Sequence, residues 1–295
     1  MDTLPDMLSR LLTDPSGRAP GHALPAGRLI DQTYQGTWPR PLFWLADAPA
    51  APGEWTAHHA ERRSAGLRPV LMDTGGHRGG PEGWDLMCGE ISYPEDLDAE
   101  EFLAHFWRSV GPGSTDAGDP DDPPAGARTA GLPDEPADPD EVFAPFGAEW
   151  PGLAGPGRPV SDPDARAAEL AEALTGSGSR LEEPHLALVP AHRSADIPVA
   201  IGWSGSLNHE DDAGVLSAVL RSWEDRFAAR LVALTADRLV LSVAAPPATR
   251  AAAEAVAAEH LAFCPQNLTR GRHATLRSYA AHEVLSHRTW DFRWD

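Results

Sequence analysis

The chain contains no lysine: its 24 basic residues are all arginine, set against 44 acids, for a formal net charge of -20. The missing lysine reads as a compositional habit rather than as site chemistry. The acid excess argues against general binding to a phosphate backbone or an anionic membrane, both of which attract basic surfaces. Cysteine is nearly absent too. Cys88 and Cys264 are the two in 295 residues, which excludes a disulfide framework and fits a reducing compartment. No apolar run approaches membrane-spanning length. Met1 to Leu12 mixes Asp2, Asp6 and Arg10 with scattered apolar residues and lacks the layout of a secretory signal. These absences lead to the expectation of a cytoplasmic protein without a membrane or nucleic-acid partner.

What is present suffices for sizeable cores: 42% hydrophobic residues, among them 10 Trp. Composition shifts sharply from Gly111 onward, where Pro, Gly, Asp and Ala dominate and nine acids face Arg128 alone up to Glu141. Such a stretch buries too little apolar surface to offset its ordering entropy. Three regions follow: an N-terminal α/β-like region over 1–110, an acidic Pro/Gly-rich linker over 111–160, and a C-terminal α+β domain over 161–295. Phe143, Phe146 and Trp150, near the linker's end, are candidate anchors onto a folded neighbour.

In the first region, Pro41 to Ala46, Trp55 to Ala65 and Leu67 to Met72 read as strand, helix and strand. Leu97 to Val110 then sets Phe102, Leu103, Phe106 and Trp107 on one helical face. The C-terminal region reads as a mixed sheet flanked by helices. Ser161-Asp162-Pro163 starts a helix that Gly176 ends. Leu186 to Val189 and Ile197 to Trp203 read as strands. Asp211 and Asp212 precede the clearest helix, whose stripe is Val215, Leu216, Val219, Leu220, Trp223 and Phe227. Arg221 and Asp225 on its other face are spaced for an exposed i,i+4 pair. Leu231 to Thr235 and Leu239 to Val243 read as a hairpin. An Ala-rich helix spans Ala248 to Leu261 and another spans Thr275 to Leu285. Trp290 to Asp295 alternates aromatic and charged residues at the strand period.

Leu220-Arg221-Ser222-Trp223-Glu224-Asp225-Arg226-Phe227, the segment Ala258-Glu259-His260-Leu261-Ala262-Phe263-Cys264-Pro265 and the Trp294-Asp295 end together resemble the bacterial domain of unknown function (DUF) 4253 family. The resemblance runs from Leu181 to the end. It implies a shared fold and supplies no activity. This chain departs from the family in having Gln266 where an acid usually follows Phe-Cys-Pro, and Arg293 where Trp is commoner. Gln266 removes a proton acceptor and so weakens an acid-base or metal role for that turn.

Complete catalytic motifs are missing. His282 and His287 hold the residue types of a zinc-protease helix, but five residues of separation turn them about 140 degrees apart. Gly202-Trp203-Ser204-Gly205-Ser206 lacks the second glycine of a nucleophile elbow. Gly75-Gly76-His77-Arg78-Gly79-Gly80 lacks the Lys-Ser/Thr pair of a phosphate loop, and Arg78 is its one counter-charge. His260 and Cys264 share one side of a helix, so a metal site with His209 or His273 is a further reading, set against a packed Cys and a hydrogen-bonded His. No metal is expected and no cofactor is indicated. The remaining constellation is Trp203, Asn208, His209, Trp223, Glu224, Asp225, Glu259 and His260, which would converge if the two long helices cover one sheet. Helix solubility explains the same charges. Acids beside aromatics suit a small polar ligand or an Arg-bearing partner. Two functions are carried forward: a noncatalytic binding protein for a basic protein partner, and a small-molecule hydrolase or metal-assisted enzyme using Glu259 and His260.

Overall fold

The computed structural model describes residues 24–33, 36–63, 66–76, 78–87, 92–112, 139–203, 205, 212–269 and 271–294. The fold is α+β, with a seven-stranded mixed sheet and a small two-stranded one. The strands are β1 (Gly27–Ile30), β2 (Gln32–Thr33), β3 (Gly36–Thr37), β4 (Phe43–Pro49), β5 (Leu67–Asp73), β6 (Pro184–Pro190), β7 (Ala229–Leu234), β8 (Arg238–Val243) and β9 (Thr289–Arg293). Their order in the large sheet is β1-β4-β6-β5-β7-β8-β9. Neighbours run antiparallel except β5 and β7, which are parallel with Leu71 opposite Ala233.

The order brings strands from both sides of the acidic stretch into one sheet. β6, from beyond the acidic stretch, lies between β4 and β5 and pairs with both, so the two halves share one sheet. The acidic stretch from 113 to 138 lies outside the described residues. Beyond it the chain is anchored: Trp107 makes ring contacts with Phe143, Phe146 and Trp150 at 5.6, 6.5 and 6.0 Å.

Main helices are α1 (Glu54–Arg63), α2 (Ala99–Val110), α3 (Pro163–Thr175), α4 (Ile197–Ile201), α5 (Ala213–Phe227) and α6 (Arg250–Phe263). Asp98, Asp162, Asp212 and Thr249 cap α2, α3, α5 and α6 by accepting first-turn backbone N–H groups, which offsets the donors a helix start leaves open. Alternation along each strand divides the core in two. Val70, Ala187, Leu241 and Phe292 pack on one face with α2, α4, α5 and α6. Leu71, Leu186, Val232 and Val240 pack on the other with Leu170 and Leu174 of α3 and Trp55 of α1.

Ile197–Ile201 is a helix where Ile197 to Trp203 was expected to be a strand, and Trp203 instead makes an isolated antiparallel bridge with Leu86. A 3-10 turn at Ser194–Asp196 runs into α4. Pro198 sits in the first turn, where its missing N–H has no partner to lose, and Gly202 ends the helix at a φ of 63 degrees. A short buried apolar run satisfies either structure, so the pattern alone did not distinguish them. The helix expected over Thr275 to Leu285 is shorter and changes character, with an α-turn at Leu276–Tyr279 and a π-turn at Ala280–Val284. No helix among the described residues is long and apolar enough to cross a membrane.

Candidate functional site

α5 and α6 meet through side chains above the sheet. The last turn of α5 places Trp223 and Arg226 three residues apart, hence on one face, and both reach Glu259 of α6. The Arg226 guanidinium grips the carboxylate with both ends, Nη1 to Oε1 at 2.8 Å and Nη2 to Oε2 at 2.7 Å. The Trp223 indole N–H donates to Oε2 at 2.7 Å and the Ala154 backbone N–H to Oε1 at 2.7 Å. Glu259 is fully buried. A charge in that position is tolerable only when paired and hydrogen-bonded, and both oxygens accept two bonds each. Arg226 is held in turn by Ser222 Oγ and the Ala154 carbonyl.

His260 follows Glu259 but points into the aromatic core. Its ring lies 4.5 Å from Trp290, 4.8 Å from Phe292 and 5.1 Å from Trp223, centre to centre. Nδ1 meets the Tyr279 hydroxyl at 3.1 Å. That hydroxyl also receives the Asn267 amide at 3.1 Å, so His260 Nδ1 is the acceptor for its proton, which assigns the neutral ring's hydrogen to Nε2. Nε2 has no hydrogen-bond partner among the described residues and faces aromatic rings, weak acceptors of an N–H. Burial, followed by the nearby Arg226 charge, lowers the His260 pKa to about 3. The ring is therefore neutral at ordinary pH.

Cys264 is buried with Sγ 3.3 Å from the Arg293 carbonyl and 3.5 Å from Asn267 Oδ1. Burial pushes its thiol pKa well up, the opposite of what a nucleophile or metal ligand needs. Burial also raises the Tyr279 pKa. His273 contacts Ser278 and Glu283, not Cys264. Among the described residues no three His, Cys, Asp or Glu side chains are grouped to hold a metal ion.

The convergent constellation expected from the sequence is thus divided. Trp223, Glu259 and His260 come together in the interior. Trp203 is buried elsewhere, donating to the Thr235 carbonyl at 2.8 Å and packing edge-on against Trp294. Glu224 and Asp225 turn outward. Glu224 binds Arg193 at 3.3 Å, Arg230 at 3.4 Å and Ser194 Oγ at 3.2 Å, while Asp225 pairs closely with Arg193. Arg221 does not pair with Asp225 as its spacing suggested. It is held by Asp196 and Glu95, which approach from two separate 3-10 turns, Ser194–Asp196 and Pro94–Asp96. Asn208, His209 and Ser204 lie outside the described residues.

Sequence reasoning passed over Arg226, Asn267 and Tyr279. The three-residue step from Trp223 to Arg226 was a usable signal for the first. The other two are joined to His260 only by tertiary packing.

Neither Glu259 nor His260 lines either of two surface concavities. One is an open groove of about 580 Å³ between the start of α2 and the outer face of α5. Glu95, Asp96, Asp98, Glu100 and Asp225 line it beside Arg193, Arg221 and Arg226. The second is a cleft of about 290 Å³ at the sheet's edge, lined by residues that include Arg78, Arg180, Arg238 and Arg293. Nothing in this geometry favours the hydrolytic or metal-assisted alternative.

No curated protein and no solved structure matches the chain. Residues 185–295, the C-terminal region, match the family described as a domain of unknown function (DUF4253).

Proposed function

We propose that the protein is a noncatalytic binding protein that takes a basic segment of a partner protein into the groove beside α5. The observation that carries this reading is the groove's charge: five carboxylates against three arginines. Asp96 and Glu100 are exposed and hold no ion pair among the described residues, so their charge is available to an incoming cation. The net charge of -20 would draw a basic partner in from a distance and repel nucleic acid. The burial of Glu259 and His260 supports the same reading, because groups held inside a packed core cannot act on a dissolved substrate. The two-cysteine composition suits action in the cytoplasm. Of the six proposed site residues that are described, Asp225 is the one that lines the groove; Glu224 anchors the groove's Arg193, and Trp203, Trp223, Glu259 and His260 maintain the frame. His209 is retained as a proposed contact.

The test is a calorimetric titration with a synthetic oligo-arginine peptide across a salt series. The expected result is saturable binding that weakens with salt, and a loss of about tenfold or more in the double variant Asp96→Lys/Glu100→Lys. Salt-independent binding that survives the charge reversal, or no binding at low salt, would overturn the proposal.

A further inference from the structure

The sheet has one parallel pair among its described strands, and β5 and β7 direct their carboxyl ends toward the same edge. In open sheets with parallel strands, that end is where ligands gather. Here it opens into the smaller cleft. Its wall includes Gly76, Arg78 and Gly79 from the loop after β5, and Thr235, Ala236 and Asp237 from the turn after β7. The glycine-rich loop had one visible counter-charge in the sequence. Folding adds three more arginines, Arg180, Arg238 and Arg293, from separate parts of the chain.

Four arginines against Asp73, Glu182 and Asp237 give this wall more guanidiniums than carboxylates, where the acidic groove has fewer; Arg293 Nε lies 3.7 Å from Asp237. Asp73 is nearly buried and directed at the backbone, accepting from the N–H groups of Gly75, Glu182 and Glu183 at 3.2, 3.0 and 2.7 Å. Asp291 gathers two of the guanidiniums, taking Arg238 Nε at 2.7 Å and the Nη1 of Arg180 in a close contact. Each keeps further N–H groups beyond that contact. Arg78 is exposed and has no ion pair among the described residues.

We propose that this cleft binds a small molecule carrying a phosphoryl group. Guanidinium groups brought from several directions suit an oxyanion with three peripheral oxygens better than a planar carboxylate. The glycines leave space for close approach of a ligand to the loop backbone. A volume of about 290 Å³ lies at the small end of ligand sites, suited to a short phosphomonoester. The site is separate from the acidic groove and independent of its proposed role.

Calorimetric titration with inorganic phosphate and with glycerol 3-phosphate, at fixed ionic strength and with acetate as control, tests the proposal. The expected result is saturable one-to-one binding of both phosphoryl compounds, with acetate much weaker. Arg78→Gln should weaken phosphate binding about tenfold or more without moving the thermal midpoint, because no ion pair is lost. Arg250→Gln, at the exposed start of α6, should bind as the unaltered protein does. Tighter glycerol 3-phosphate binding would identify a phosphomonoester site, and equal binding a site for the phosphoryl group alone; either result supports the proposal. Absence of saturable phosphate binding, acetate binding as tight as phosphate, or equal loss in both variants would overturn it.

Discussion

The two faces of the sheet solve the burial problem differently. Beneath α1 and α3 the filling is mainly aliphatic, with Leu67, Leu71, Leu170, Leu174, Leu186, Leu188, Val232 and Val240 in contact. Beneath α2, α5 and α6 it is aromatic: Trp223, Phe227, Phe263, Trp290, Phe292 and Trp294 meet mostly edge to face. The aromatic face also encloses a carboxylate, a guanidinium and a neutral imidazole. Aliphatic packing is set by shape and volume, whereas a buried ionic centre depends on each of its hydrogen bonds. The contrast teaches that the residues with the most reactive chemistry occupy the less tolerant face for structural reasons.

Breaking that contrast should show a graded response. Glu259→Ala leaves the Arg226 charge, the Trp223 indole N–H and the Ala154 N–H without their acceptor, and should cost about 3–5 kcal/mol in urea unfolding. Glu259→Gln, which keeps the oxygen and the shape, should cost less. Equal losses would show that packing, not hydrogen bonding, governs the centre.

The intermediate effect depends on pH. The folded His260 pKa, about 3, lies below the ordinary 6.5, so the unfolded chain takes up this proton first as pH falls. The stability held above pH 6.5 is therefore lost progressively down toward pH 3. Between pH 7.5 and 5 the loss from this ring should be about 2 kcal/mol. His260→Asn retains an oxygen to accept from Tyr279 and should remove that part of the pH slope. Parallel slopes for the two proteins would contradict the assigned neutral ring. The smallest change belongs to the aliphatic face, where Leu186→Met should cost below about 1.5 kcal/mol in the same unfolding assay.

Much of the fold was legible wherever local pattern and tertiary demand agreed. The α5 stripe, the hairpin of β7 and β8, and the alternating Trp290, Phe292 and Trp294 each reveal a buried face by their period. The placement of β6 between β4 and β5 was not legible, because it joins residues separated by more than a hundred positions. The candidate site failed for a related reason. Glu224 and Glu259 have the same chemistry in sequence, but one step from Trp223 to Glu224 turns the helix outward, whereas Glu259 points inward to meet Arg226. The arginine cleft was hidden because Arg78, Arg180, Arg238 and Arg293 share no local motif.

The position of β6 also has a consequence for how the chain comes into being. As synthesis proceeds from the N-terminus, β4 and β5 emerge long before the strand that joins them, and their facing backbone donors and acceptors must await it. Closing that gap requires a distant contact, which slows folding and prolongs exposure of strand edges. The family match at 185–295 contains β6 but neither of its neighbours. The smallest part able to complete this sheet therefore begins far upstream of the matched region.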